Sequence, residues 1–332
     1  MAIPPNYKWL GILAKHVMSI LIKSFLGSIK GFFGKTVPLK VEHIPTFRCN
    51  FKCSYCGLWN KKSKELSTKE IKVLMDKFSK AGTVSWNFTG GEPLLRRDIK
   101  ELVEYAKFKG FYVTLNSNGI LIKNNLDWIK KVDLIGISLD GTKEVHNKTR
   151  GQFDKVLESI KLLKEIKANV YICTVMNKLN LKNRGKGLKE ILNLAKALNI
   201  KIAVLPIFED KLNNIKDLKP TREEFEEGLE ILKEFKKERN LLLISWSTLE
   251  YLEKGCLPFK CLAGKFFCTI YPDGKVSPCM FMPKVSSLKD LKCVGKVDCN
   301  SNGFHCQLCY LEYNNLFSLK PKALYTFIKN YY

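Results

Sequence analysis

Nowhere in the 332 residues is there an uninterrupted apolar run of about twenty, the length that a membrane-spanning helix requires. Internal repeats and low-complexity tracts are also missing, so nothing marks a repeat architecture. Acidic residues are scarce: 32 Asp and Glu stand against 56 Lys and Arg, a formal net charge of +24. That excess has two readings. One is a solvated, Lys-rich surface of the kind found in heat-adapted proteins. The other is attraction to an anionic partner, whether lipid headgroups, a phosphorylated substrate or nucleic acid. What is present is a globular composition, 45% hydrophobic and 27% charged, long enough for one large domain and a smaller one.

The N-terminus is apolar at Trp9, Leu10, Ile12, Leu13, Val17, Met18, Ile20, Leu21, Phe25, Leu26, Ile29, Phe32 and Phe33. Lys8, Lys15, Lys23 and Lys30 recur every seven or eight residues, which on a helix sets them along one narrow strip. A broad apolar face beside a Lys strip suits a helix lying in a membrane interface. It suits equally a helix packed on the protein's own core or on a partner. Lys15 and Lys23 interrupt the stretch and no small-residue cleavage site follows, which argues against a secretory signal.

Beyond this segment strands and helices alternate. Strands are expected at 39–44, 84–88, 112–115, 134–139, 170–175 and 202–207, and helices at 67–78, 98–108, 126–130, 153–166, 188–198 and 223–239. Roughly six βα units over 38–240 imply an α/β fold, a parallel sheet with helices outside it. From about Trp246 cysteines, Gly and Pro turns and short hairpin-like strands replace that rhythm, with Tyr271-Pro272-Asp273-Gly274 as a turn signal. The expected division is an N-terminal helix over 1–36, a core over 37–245 and a small cysteine-rich domain over 246–332.

Twelve cysteines cluster, three near the front and eight in the last quarter. A chain of this length does not need disulfide staples, so clustering points to metal ligation in a reducing compartment, the cytoplasm. In Cys49-Asn50-Phe51-Lys52-Cys53-Ser54-Tyr55-Cys56, three thiolates can hold three corners of a cubane iron–sulfur cluster. The fourth iron is then left open for chemistry. The alternative is structural zinc, for which Cys-x2-Cys is a common half-site, but no fourth ligand is obvious nearby.

This spacing, with an aromatic residue, Tyr55, before the third cysteine, resembles the radical S-adenosylmethionine (SAM) superfamily. The resemblance implies a partial, open (β/α)6 TIM-like barrel over about 38–240. It implies a [4Fe–4S] cluster on Cys49, Cys53 and Cys56 whose open iron chelates the SAM amino and carboxylate groups. Reductive cleavage of SAM would give a 5′-deoxyadenosyl radical that abstracts a substrate hydrogen. The other SAM contacts should follow later strands, and motifs occur in that order. Thr89-Gly90-Gly91-Glu92-Pro93 offers close backbone approach and, at Glu92, an acceptor for the SAM ammonium. Asn116-Ser117-Asn118-Gly119 is similar to the family's ribose and adenine edge. Ser138 and Arg150 are placed like the pair that holds the SAM carboxylate, with Asp140-Gly141 at the strand exit; the Arg fork matches a carboxylate bidentately. Taken singly, these are also a plain turn, a plain strand exit and a surface charge.

The C-terminal region, with Cys261, Cys279 and the pair Cys306-Gln307-Leu308-Cys309, is similar to the SPASM/twitch auxiliary-cluster extension of this superfamily. The resemblance implies a second [4Fe–4S] cluster on those four cysteines, acting in electron transfer. No cysteine follows Cys309, which favours the shorter twitch form. Cys256, Cys268, Cys293 and Cys299 are left as buried hydrophobes, exchangeable ligands, hydrogen donors or ligands of a third cluster.

Substrate is not named by the core. The amphipathic N-terminus, the Lys excess and an aromatic, basic tail over 316–332 favour a lipid hydrocarbon or isoprenoid chain, modified by an enzyme peripheral to the inner face of the cell membrane. Some archaeal relatives form carbon–carbon bonds in lipid tails. The alternatives are a peptide- or protein-modifying enzyme and oxidation of a small-molecule cofactor precursor. A non-catalytic electron carrier or nucleic-acid binder fits the SAM-contact motifs poorly. An electron donor such as ferredoxin or flavodoxin is an expected partner.

Overall fold

The computed structural model describes residues 38–207, 215–254 and 262–280. The expected N-terminal helix, Cys256, Cys261, Cys293, Cys299, Cys306, Cys309 and the tail over 316–332 lie outside the described residues. No helix among the described residues is long and apolar enough to cross a membrane.

Six strands, β1 (Lys40–His43), β2 (Ser85–Phe88), β3 (Tyr112–Ser117), β4 (Leu134–Ser138), β5 (Val170–Met176) and β6 (Lys201–Pro206), lie side by side in chain order, each parallel to the next. The helices between them are α1 (Thr68–Ala81), α2 (Ile99–Phe108), α3 (Leu126–Ile129), α4 (Lys143–Thr149), α5 (Phe153–Glu165) and α6 (Lys178–Leu198). α7 (Arg222–Glu238) and α8 (Trp246–Lys254) follow β6. This is the expected α/β radical SAM fold, a partial sheet of parallel strands.

Local chemistry fixes where helices begin. Ser67 accepts from the Glu70 N–H while the Glu70 carboxylate accepts from the Ser67 N–H, a reciprocal cap on α1. α1 then buries Ile71, Met75 and Phe78 against the sheet and ends at Gly82, whose φ of 101° a side chain would oppose. Thr221 and Glu224 make the same box on α7.

Three departures from the sequence pattern have physical causes. α4 lacks an apolar period; Thr142 caps it and His146 anchors it in the interior. α6 begins at Lys178, well before the expected 188, because Asn177 and Asn180 cap each other's backbone there; left-handed Asn183, Arg184 and Gly185 then interrupt it. α8 occupies 246–254, where turns and strands were expected; it buries Leu249, Tyr251 and Leu252 on one face.

After α8, β7 (Phe267–Ile270) pairs in parallel with the free side of β1, and β8 (Val276–Ser277) turns back antiparallel across the expected Tyr271–Gly274 turn. The sheet order is β6-β5-β4-β3-β2-β1-β7-β8. The segment beyond residue 245 therefore continues the same sheet as far as it is described.

The helices cover one face of the sheet. Val41, Trp86, Phe88, Val113, Leu115, Ile135, Ile137 and Ile172 are closed to solvent there, packed with Phe78, Leu102 and Val103. Trp86 stacks on Phe111 and meets Phe78 edge-on. His43 is the one titratable group of its strand on this face. Burial lowers it to about 3, so its neutral ring accepts the Trp86 indole N–H at 3.3 Å. Cys268 also lies in this core, and burial pushes its thiol far up, as for a small hydrophobe rather than a ligand.

Candidate active site

The cysteine loop leaves the end of β1. Arg96 pins its two ends, donating to the Pro45 carbonyl at 3.0 Å and the Leu66 carbonyl at 3.1 Å while paired with Asp98. Glu65 accepts from Thr46 and Arg48 across the same base. Inside the loop Cys53 is buried, and Cys49 and Cys56 are half-buried. The three thiols are close enough for each charge to be felt by the others. Burial pushes Cys53 up to about 11 and Cys49 upward as well. Donors already point at the sulfurs: Phe51 N at 3.4 Å and Asn118 Nδ2 at 3.9 Å from Cys49 Sγ, and Arg150 Nη1 at 4.0 Å from Cys53 Sγ.

The donor set fits a cubane. Among the described residues no three His, Cys, Asp or Glu side chains gather closely enough to hold a single metal ion. A cubane presents a different iron to each thiolate and takes ligands spread further apart. A tetrahedral zinc site would require them drawn together.

The β2 loop closes on the cysteine loop by backbone contact. Gly91 N donates to the Thr46 carbonyl at 3.1 Å and Glu92 N to the Arg48 carbonyl at 2.8 Å. A Cβ on Gly91 would run into the Phe47 and Arg48 backbone, and one on Gly90, at φ 106°, into Ile44. The paired glycines thus bring two strand-end loops together.

Glu92 is wholly buried. Its oxygens accept from Leu94 N at 3.1 Å, Ser117 Oγ at 3.0 Å and Asn118 N at 2.8 Å. Burial outweighs those bonds and raises its carboxyl to about 7. Glu92 thus braces the β2 and β3 loops, with three protein donors on its two oxygens. Asn118 carries the brace onward, donating to Asn50 Oδ1 at 2.7 Å in the cysteine loop.

Asp140 is the second node and is fully buried. It accepts from Tyr55 Oη at 2.5 Å and Arg150 Nε at 2.7 Å on one oxygen, and from Val175 N at 3.0 Å on the other. Its own N–H donates to His146 Nδ1 at 3.1 Å; burial lowers His146 to about 4, so that nitrogen is a free acceptor. Ser54 N donates to the Thr149 carbonyl at 2.9 Å, tying the cysteine loop to the end of α4. Tyr55, Asp140 and Arg150 are thus together beside Cys53, and Ser138 stands half-buried at the end of β4.

Apart from Asn116, the sheet face opposite the helices holds residues the motifs did not reveal. Lys40 pairs with Glu42 at 2.7 Å. Asn87 donates to Glu42, Thr114 Oγ1 to Asn87 at 2.6 Å, and Tyr171 Oη to Asn116 Oδ1 at 2.7 Å. Gly136 lies between Asn116 and Tyr171 in the register, where any side chain would collide with their hydrogen bond. Cys173 faces the same way opposite Ser138. The available signal was polar residues at every second position of otherwise buried strands; a parallel sheet packed on both faces reads as continuously apolar.

An α/β sheet whose first strand end carries three clustered cysteines, over which the next three strand ends close, defines an iron–sulfur enzyme with its site at the carboxyl edge. Residues 43–191 match the Radical SAM superfamily. Those residues carry a radical SAM domain, which in that superfamily works with a [4Fe–4S] cluster and SAM as cofactors. Fe-coproporphyrin III synthase of Methanosarcina barkeri is 37% identical over 147 residues, which cover 42% of this chain and 37% of that protein. PqqA peptide cyclase of Bradyrhizobium diazoefficiens is 28% identical over 265 residues, covering 76% of this chain and 69% of that one. The crystal structure of Streptococcus suis SuiB bound to S-adenosylmethionine has a TM-score of 0.66 at 18% identity, covering 90% of this chain and 73% of SuiB. That likeness shows the fold. SuiB has also been crystallised bound to the precursor peptide SuiA.

Proposed function

We propose that this enzyme abstracts a hydrogen atom from a peptide. The observation that carries the reading is the polar wall of Glu42, Asn87, Thr114, Asn116 and Tyr171 on the sheet face opposite the helices, where Thr114, Asn116 and Tyr171 keep partial exposure. Such groups can exchange hydrogen bonds with amides, whereas a hydrocarbon chain offers them none. A relative matched over most of both chains is a peptide cyclase. The lipid reading, which rested on the N-terminal segment and the tail, has no support among the described residues.

Cys49, Cys53 and Cys56 would hold the cluster. Bound SAM and the reduced cluster supply a carbon radical able to take a hydrogen atom. The chain's own work is positioning. Arg150, fixed by Asp140, offers its remaining guanidinium N–H groups to a carboxylate. Tyr55, its phenol held well above the ordinary value by burial, donates to Asp140 and keeps that pair from turning. Asn116, Ser117 and Asn118 present the β3 end, and Gly90 and Gly91 the β2 end. An auxiliary cluster on Cys261, Cys279, Cys306 and Cys309 belongs to the same proposal, as does a reducing, cytoplasmic setting; of those four cysteines only Cys279 lies among the described residues.

A second reading is oxidation of a porphyrin-type cofactor precursor, favoured by the 37% identity to Fe-coproporphyrin III synthase within the core. The test is anaerobic incubation of the reconstituted enzyme with SAM and dithionite. The SuiA and PqqA precursor peptides, the peptide fraction of a cell extract, extracted membrane lipids and porphyrins would be offered in parallel. A peptide losing two hydrogens in proportion to 5′-deoxyadenosine is expected. Turnover of lipid or porphyrin with none of peptide would overturn the reading.

A further inference from the structure

Between Arg48 and Lys64 the cysteine loop carries Arg48, Lys52, Lys61, Lys62 and Lys64 and not one Asp or Glu. Arg48, Lys52, Lys62 and Lys64 are exposed, as is Trp59. Elsewhere lysines are interspersed with acidic residues and several are paired, as Lys72 with Glu101, Lys100 with Asp127, Lys123 with Glu158 and Lys131 with Glu104 on the outer helices; what sets the loop apart is that its stretch from Arg48 to Lys64 holds no acidic residue at all. In the cysteine loop Arg48 meets Glu65, but Lys52, Lys62 and Lys64 make no ion pair with any described carboxylate. Lys52 instead lies over the Trp59 ring at 5.5 Å and Lys61 over Phe47 at 5.6 Å. The result is a cationic loop that also exposes an aromatic, Trp59, under Lys52, the composition of a contact point for an anionic macromolecule.

Its position narrows the partner. Asn50, Lys52 and Ser54 are exposed residues that alternate with Cys49 and Cys53 along the chain. Whatever docks here lies over the cluster ligands themselves. Cleavage of SAM consumes one electron, which must reach the cluster from outside. A membrane or a nucleic acid gains nothing from that location, whereas an electron carrier requires it. We propose that the Lys52–Trp59–Lys62–Lys64 surface is the docking site for an acidic one-electron carrier protein of the flavodoxin or ferredoxin kind. The inference rests on the radical SAM reading of the cysteine loop. On docking, the carrier is oxidised by one electron and the cluster reduced by one; no proton, bond or group moves. Steering by opposite charge raises the encounter rate and makes it sensitive to salt.

The test uses the anaerobically reconstituted full chain and three forms: wild type, Lys52→Glu/Lys62→Glu/Lys64→Glu, and a control of equal charge change on the outer helices, Lys155→Glu/Lys161→Glu/Lys189→Glu. Binding of oxidised flavodoxin and of oxidised ferredoxin is measured by biolayer interferometry at low and high salt. Cluster reduction by the reduced carriers, and separately by dithionite, is followed by the cluster's visible absorbance. The loop variant should lose roughly tenfold or more in carrier binding and in carrier-driven reduction, high salt should do the same to wild type, and the control should stay within about twofold. Dithionite-driven reduction should be unchanged in all three, which checks that the loop variant is folded and loaded. The dithionite arm also reads the proposed chemistry by itself, so failure there is failure of that reading and not of the docking site. The docking proposal is overturned if neither carrier binds wild type, if the control variant is impaired as much as the loop variant, or if the loop variant loses binding to phosphatidylglycerol vesicles while its reduction by the carriers is intact.

Discussion

On the helix-covered face of the sheet, Val41, Trp86, Val113, Ile135 and Ile172 form a sealed apolar layer. One residue along on each of four of these strands, the opposite face presents Glu42, Asn87, Thr114 and Gly136, with Tyr171 facing the same way on β5. The same strands thus carry two chemistries at a spacing of one residue. The apolar face can be accounted for by folding alone. The polar face cannot, since ordering amides, a hydroxyl and an ion pair in the interior gains little net stability and leaves a large penalty if any partner is lost. Residues kept at that cost are reserved for something the sheet holds.

The largest test of this division is at the strand ends. Replacing Cys49, Cys53 or Cys56 by Ala should abolish SAM cleavage and cluster absorbance while leaving the melting temperature of the metal-free protein within a few degrees, because exchanging a thiol for a hydrogen removes little buried volume. If each variant instead unfolds, chemistry and stability are not separable here. On the apolar face Trp86→Ala should cost about 3–5 kcal/mol in denaturant titration, the scale for deleting a large buried aromatic. Between the two lies Asp140→Asn, which leaves the Arg150 charge buried without its anion. It should cost about 3 kcal/mol and weaken SAM binding, read by calorimetry on the reconstituted protein.

Glu92 supplies a pH test of similar size. Its carboxyl is raised from 4.5 to about 7, so the folded state holds a proton that the unfolded state releases. The stabilisation is complete below pH 4.5 and is lost as pH rises through about 7. By pH 8 the loss should approach about 3 kcal/mol. Thermal melts of the metal-free protein at stepped pH read the slope, and Glu92→Gln should flatten it; an unchanged slope in the variant would remove Glu92 as its source. The smallest effect is expected at Tyr171→Phe, which removes one hydrogen bond on the polar face. About 1 kcal/mol of stability should go, with a larger fractional rise in peptide KM than fall in kcat. A kcat loss with KM unchanged would argue that Tyr171 does not line the substrate.

The same comparison explains what could be read beforehand. Strands β1 to β6 and the amphipathic helices were legible because each buries one periodic apolar face, and the site motifs because each sits where a strand stops. α4 was not, because its stability comes from a Thr142 cap and one buried histidine rather than a repeating pattern. Residues 183–185 were not, because a left-handed turn has no composition of its own when only one of its three residues is glycine. The motif marks Glu92 as a cofactor contact; its burial and three protein donors depend on the β3 loop folding back, which no local signal carries. The polar row from Lys40 to Tyr171 was missed for the same reason: its members come from four different strands and meet only through register.

The register has one further consequence, in the order of events as the chain is made. β1 supplies the cysteine loop, yet its second neighbour is β7, drawn from residues 267–270, beyond all six βα units. Until that segment has left the ribosome, β1 is an edge strand with one side open, and edges are where a growing chain mispairs. Iron and sulfide delivered early would meet three thiols on a base that is not yet clamped. The connectivity therefore predicts that the rate of cluster assembly should track the folding of residues far from the cysteines themselves.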